Sequence, residues 1–182
     1  MSAEYVESTL ASLCNLLPGT FAVIVDTGCS VSSSYDKADF EYIYELKQPV
    51  RLQGVNGDCQ VTHGGVMKFQ CINDQGQVFD IKTMGYYNPA QKVCLFSPQS
   101  YFKHRPNQSG EFTISWAWYF LKLTDQEGTL PCHIDRSSLM PLLYCFHDAD
   151  AAAKALSSSI LANPCVSDDQ NTTLTPLQRL LL

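Results

Sequence analysis

Asp26, Thr27 and Gly28, with Cys29 and Ser30 directly after them, are the residues of this chain best suited to chemistry. They follow Phe21-Ala22-Val23-Ile24-Val25, an uninterrupted apolar and largely β-branched run that reads as a buried strand. A carboxylate where such a strand emerges is costly to bury unless its surroundings hold it for a purpose. Gly28 has no side chain, so its backbone N–H can approach the Asp26 carboxylate. Ser30 can donate to the outer carboxylate oxygen, and Thr27 can hydrogen-bond into whatever backbone lies opposite. The chemistry open to an acid held in this way is proton transfer. The tripeptide alone is a weak signal. Its setting sharpens it: an apolar strand before, small polar residues after, and Asn56-Gly57 further along.

No metal is predicted. The eight cysteines, at positions 14, 29, 59, 71, 94, 132, 145 and 165, include no C-x-x-C pair. Cys132-His133 and Cys145-Phe146-His147 combine ligand types, but adjacent ligands and a C-x-H pair are poor zinc spacings. Strand-borne, reduced thiols and surface imidazoles are the expectation there, and His63 and His104 read as lone surface residues. Asn107-Gln108-Ser109 and Asn171-Thr172-Thr173 match the N-glycosylation pattern by chance if the chain is intracellular.

The elements that must position Asp26 read as short strands joined by tight turns, from 14 to about 146. Asn56-Gly57 is the strongest two-residue hairpin signal, between "YIYELKQPVRLQGV" and "DCQVTHGGVMKFQCI". Asp74-Gln75-Gly76 marks a second hairpin, and Asp125 to Gly128 a third, between "FTISWAWYFLKL" and "TLPCHIDR". Phe112, Ile114, Trp116 and Trp118 alternate as if sharing one sheet face. Strands at this spacing predict a small β-barrel or sandwich. One helix interrupts them, with Ser97 as N-cap and Pro98 as its first residue. Residues 1–13 form a tail or short amphipathic helix. After 147 the character changes: "DADAAAKALSSSILA" favours helix with Asp148 or Asp150 as cap, and "NPCVSDDQNTT" reads as a linker. The closing "LTPLQRLLL" looks cut rather than finished. No internal repeat is present.

Composition narrows the functions open to such a fold. The chain has 182 residues, suited to one domain with tails, and 45% are hydrophobic, enough to fold. Lys plus Arg number 12 against 18 Asp plus Glu, a net charge of −6. With no basic cluster, neither nucleic acid nor an anionic membrane is an expected partner. The N-terminus lacks a basic region followed by an apolar core, and no apolar run approaches membrane-spanning length. The chain therefore reads as soluble and intracellular.

"VIVDTGCSVS" resembles the active-site strand and loop of retroviral-type aspartic proteases. "VRLQGVNGDCQVTHGGVMKF", "TMGYYNPAQKVCLFSPQSYF" and "FTISWAWYFLKLTDQEGTLP" are similar to successive parts of the protease region of copia-type LTR-retrotransposon polyproteins. "LTPLQRLLL" resembles the start of the pre-integrase region, so the likeness covers roughly residues 20 to 182. It implies a mainly β fold, a closed β-barrel of the retroviral aspartic protease type with one short helix and a C-terminal helical and linker extension. Residues 14–147 would be the protease domain, and 148–182 would lead into a truncated pre-integrase region. The chain holds no second D-[ST]-G, so the resemblance implies a homodimer with Asp26 from each subunit at the two-fold axis. Asp26 would be catalytic, with Thr27, Gly28, Cys29 and Ser30 supporting its loop. Gly54, Val55, Asn56 and Gly57 would form a flap that closes over a peptide and excludes water. The substrate would be the element's own polyprotein, cut before residue 14 or around 164 to 173, in the cytoplasm or in virus-like particles, without cofactor.

The alternative is a retropepsin-like module for dimerisation or peptide binding without turnover. A third reading is a plain β-barrel with Asp26 in a solvated loop. The sequence departs from the retroviral pattern twice. Leu95-Phe96-Ser97 stands where those enzymes carry a glycine, with Leu95 and Phe96 read as core. Cys29 stands where they usually carry alanine; it is either an inert buried thiol or one whose oxidation gates activity.

Overall fold

The computed structural model describes residues 20–54, 57–73, 77–105, 110–114, 118–123, 129–134, 139–148 and 150. The tail expected over 1–13 lies outside them, as does the helix and linker expected after 147, apart from Asp148 and Asp150.

The chain is mainly β. Among the described residues ten strands run in sequence: β1 (Thr20–Val25), β2 (Ser32–Ser34), β3 (Phe40–Gly54), β4 (Gly57–Ile72), β5 (Val78–Tyr87), β6 (Cys94–Phe96), β7 (Gly110–Ile114), β8 (Trp118–Leu123), β9 (Leu130–Ile134) and β10 (Pro141–Phe146). The helix α1 (Pro98–Lys103) lies between β6 and β7, and a single 3-10 turn covers Lys37–Asp39. The strands pair in the order β3-β4-β5-β2-β6-β1-β10-β9-β8-β7, and β10 also pairs with β4 through Cys145 opposite Cys71 and Phe146 opposite Gln70.

β1 lies between two neighbours, parallel to β6 and antiparallel to β10. Flanked on both edges and packed within the core, it buries Val23, Ile24 and Val25 in succession. That explains a continuous apolar run where a half-exposed strand would alternate. β4 and β5 do alternate: Met67, Phe69 and Cys71 on one, with Phe79, Ile81 and Thr83 on the other, are buried while the residues between them are not. The core under β1 is capped by an edge-to-face series of rings, Phe69 to Phe96 at 5.9 Å, Phe96 to Tyr101 at 5.7 Å and Tyr101 to Phe102 at 5.4 Å. Edge-to-face packing places the positive ring edge on the negative face of its neighbour and adds to the area each ring buries. Leu95 is half-buried and Phe96 fully buried.

Two expectations need correction. "FTISWAWYFLKL" is two strands, β7 and β8, paired antiparallel with Ile114 opposite Tyr119. Phe112 and Ile114 therefore lie on a different strand from Trp118, and Trp116 lies outside the described residues. Ser115-Trp116-Ala117 carries a weak turn former in Ser115 but no Gly, Asn, Asp or Pro, so the alternation reads straight through it. At the first hairpin Gly54 is the register partner of Gly57, so Gly57 belongs to the return strand and not to the two-residue connection. Gly57 takes φ 113°, a backbone conformation that favours glycine.

The other hairpins fall where the turn residues place them. Asn73 and Gln77 close the second by three hydrogen bonds, including the Gln77 amide to Asn73 Oδ1 at 2.8 Å. β8 and β9 flank the third, with Leu121 opposite Leu130. In the first, β3 pairs Glu45 with His63 and then Val50 with Val61, so residues 46 to 49 face Thr62 alone. Pro49 lies in that irregular stretch of an outer strand, where its missing N–H breaks no ladder bond. Among the described residues no helix is long and apolar enough to cross a membrane.

Candidate active site

β1 delivers Asp26 to the point where the strand leaves the sheet. Its backbone N–H still donates to Phe96 O at 3.0 Å, continuing the β1–β6 ladder by one residue. The chain then turns, and the Gly28 amide donates to Asp26 Oδ1 at 2.8 Å. A Cβ built on Gly28 would sit 3.2 Å from that same oxygen, tighter than an ordinary van der Waals contact. Glycine is therefore fitted to the position by space and not by backbone sign. The Cys29 amide closes the turn onto Asp26 O at 3.3 Å.

Thr27, Gly28 and Ser30 are exposed, whereas Asp26 and Cys29 are half-buried. The described donor to the carboxylate is the Gly28 amide; the Ser30 hydroxyl makes no such bond. Thr27 takes part through its carbonyl, which accepts from the Gln99 side chain. The Cys29 thiol donates to Val31 O at 2.7 Å. Burial raises the thiol's pKa; the bond to Val31 opposes that rise and the Asp26 charge adds to it. A thiol held protonated is a poor nucleophile toward peroxide, which weighs against the redox-gate reading of Cys29.

Beside Asp26 lies an open cavity of about 250 Å³, lined by Val25, Asp26, Thr27, Ile134, Leu139, Met140 and Pro141. The carboxylate is thus placed at the edge of an apolar hollow with room for a side chain. Leu139, 73% exposed, holds φ 57°, a left-handed conformation that costs a leucine free energy and that the surrounding structure must hold in place.

The structure gathers the predicted loop residues 26 to 30 in one place. Of the expected flap, Gly54 ends β3 and Gly57 begins β4, Gly57 is not among the described residues that line the cavity, and Val55 and Asn56 lie outside the described residues. Sequence reasoning missed the lining from Ile134 and from Leu139 to Pro141, which no motif marks. It also missed the loop contacts of Ser97 and Gln99. Ser97 is the N-cap of α1 as its sequence predicts, accepting from the Ser100 amide at 3.2 Å, yet the same hydroxyl donates to Cys29 O.

Among the described residues no group of three or more His, Cys, Asp or Glu side chains is arranged to hold a metal ion. Cys132 and Cys145 are buried in the core, and His147 stacks on Phe21 at 4.4 Å. No family model matches the chain, and no curated protein matches it in sequence.

Proposed function

We propose that the protein is an aspartic endopeptidase of retropepsin type, active as a homodimer on its own retroelement polyprotein. The observation that carries this reading is the Asp26 carboxylate, held by the Gly28 amide at 2.8 Å on the edge of an open apolar cavity. The return pairing of β10 onto β4 supports the closed barrel that such an enzyme requires.

In the dimer, two Asp26 carboxylates about 3 Å apart cannot both ionise and so share one proton. The ionised carboxylate takes a proton from a bound water as its oxygen attacks the peptide carbonyl carbon. The protonated one gives its proton to the carbonyl oxygen, forming the tetrahedral intermediate. When the C–N bond breaks, the leaving amine takes up the proton first removed from water, and one hydroxyl of the intermediate returns its proton to the other carboxylate as the carboxylic acid product forms, which restores the shared proton. The Gly28 amide keeps one oxygen of each carboxylate oriented through these steps, and no metal or organic cofactor is called for. Apolar cavity walls suit an extended peptide with an apolar side chain beside the cut. The hairpin joining β3 and β4 would close over it. Cytoplasmic particles that concentrate the precursor would favour dimerisation by mass action.

The test is self-cleavage of a longer polyprotein fragment against its Asp26→Asn twin at two protein concentrations. Processing that is lost in the variant and rises faster than linearly with concentration is the expected result. Intact chains that are nonetheless dimeric across acid to neutral pH would favour a module that dimerises or binds peptide without turnover.

A further inference from the structure

The loop that carries Asp26 is not held by its internal bonds alone. Residues 96 to 99 reach it and the start of β2 with four hydrogen bonds across sequence separations of 65 to 72 residues. Phe96 O accepts from the Asp26 amide, and the Ser97 amide donates to Ser32 Oγ at 3.0 Å. The Ser97 hydroxyl donates to Cys29 O, and Gln99 Nε2 donates to Thr27 O. Two of these bonds end on the carbonyls that flank Gly28, the residue whose amide orients the carboxylate.

The other side of the clamp is rigid. Ser97 and Ser32 are fully buried, and Tyr101 is wedged against Phe96 and Phe102. Arg105 lies over the Tyr101 ring at 3.9 Å and donates to Lys82 O at 2.6 Å, tying the end of α1 to β5. A loop pinned at two carbonyls to a helix that is itself fixed has little freedom to rotate its peptide planes. The Ser97 hydroxyl serves both partners at once, accepting from the Ser100 amide and donating to the loop.

We propose that Ser97 and Gln99 are positioning residues, which aim the Gly28 amide and through it the Asp26 carboxylate. The inference rests on the aspartic protease reading for its kinetic consequence but not for its structural one. Gln99 is exposed and near the turn, so Gln99→Met removes the donor at nearly constant size without opening the core. Ser97→Ala removes both roles of the hydroxyl, and Ser97→Thr keeps a hydroxyl in place.

The experiment pairs amide NMR of the full chain with hydrolysis of a decapeptide library bearing apolar central residues. Gln99→Met and Ser97→Ala should shift the Gly28 amide proton upfield, the mark of a weakened bond to the carboxylate, while amides of β4 and β5 stay in place. Turnover should fall about tenfold in Gln99→Met and about a hundredfold in Ser97→Ala, with KM within about twofold. Ser97→Thr should recover both signals. An unmoved Gly28 amide in Gln99→Met and Ser97→Ala would overturn the proposal, as would shifts spread evenly through the sheet. If the wild type cuts no peptide while Gly28 responds as described, positioning stands and the protease reading falls. If Gln99→Met cuts at the wild-type rate with Gly28 unmoved, the protease reading stands and positioning falls.

Discussion

Asp26 and Asp39 are two acids at the margins of one sheet that are held in opposite ways. Asp39 ends the 3-10 turn and is 2% exposed. It accepts from the Ser34 hydroxyl, and His147 Nε2 lies 3.8 Å from its other oxygen. The Cys94 thiol and the Asp36 carboxylate also face it. Burial raises its pKa, the Ser34, His147 and Cys94 contacts pull it back, and Asp36 pushes it up further. Side chains from β2, β6 and the end of β10 therefore enclose Asp39, and it works as a joint between them. Asp26 is half-buried, takes its described bond from a backbone amide, and borders a cavity. Burial alone does not make an acid functional; on the proposed protease reading, it is the open side facing a hollow that would let Asp26 exchange a proton with a substrate.

The strongest way to break this contrast is to neutralise each acid in turn. Asp26→Asn should lower peptide hydrolysis by about a thousandfold or more while leaving the urea midpoint unchanged, and Asp39→Asn should leave hydrolysis within about threefold. Loss of turnover in both variants with both folds intact would dissolve the distinction. Next in size, Ser34→Ala leaves a buried carboxylate short of a donor and should cost about 1–3 kcal/mol of stability by urea unfolding.

Proton linkage sharpens the same contrast. For Asp39 the folded pKa lies above the ordinary value of 3.8, so the folded chain binds this proton more tightly than the unfolded chain. Its contribution is fully present below that value and is lost as pH rises through the folded pKa. Urea unfolding at steps upward from about pH 4 should show a falling component in the wild type that is missing in Asp39→Asn. An identical slope in the two proteins would remove Asp39 as its source. The smallest effect is expected at Cys29: Cys29→Ala should hold activity within about twofold and keep the wild-type sensitivity to peroxide. Greater resistance to peroxide in the variant would restore the redox gate.

The Asp26–Gly28 contact was legible because its partners stand two residues apart, and a strand followed by D-T-G leaves the local chain little choice. The N-cap at Ser97 was legible for the same reason. The clamp from Ser97 and Gln99 was not, since no local pattern says which loop a helix start will meet. Nor was the cavity wall at Leu139, whose left-handed φ is carried by a residue that gives no such signal. The division of β7 from β8 was hidden by a connection that holds no Gly, Pro, Asn or Asp, and the hairpin at Gly54 and Gly57 was found one residue out of register.

By itself, then, the sequence determined that this chain builds strands joined by hairpins, ends a buried one just before Asp26, and caps a helix with Ser97, whereas the 15 and 16 residues of β3 and β4 exceed the short strands it suggested. Those features follow from side-chain period, β-branching and capping, all of which act within a few residues. The tertiary structure alone decided that β1 lies between β6 and β10, that Asp26 looks into a hollow, and that Asp39 is walled in. These depend on which distant strands share hydrogen bonds and which side chains fill one volume, and only the packed chain fixes them.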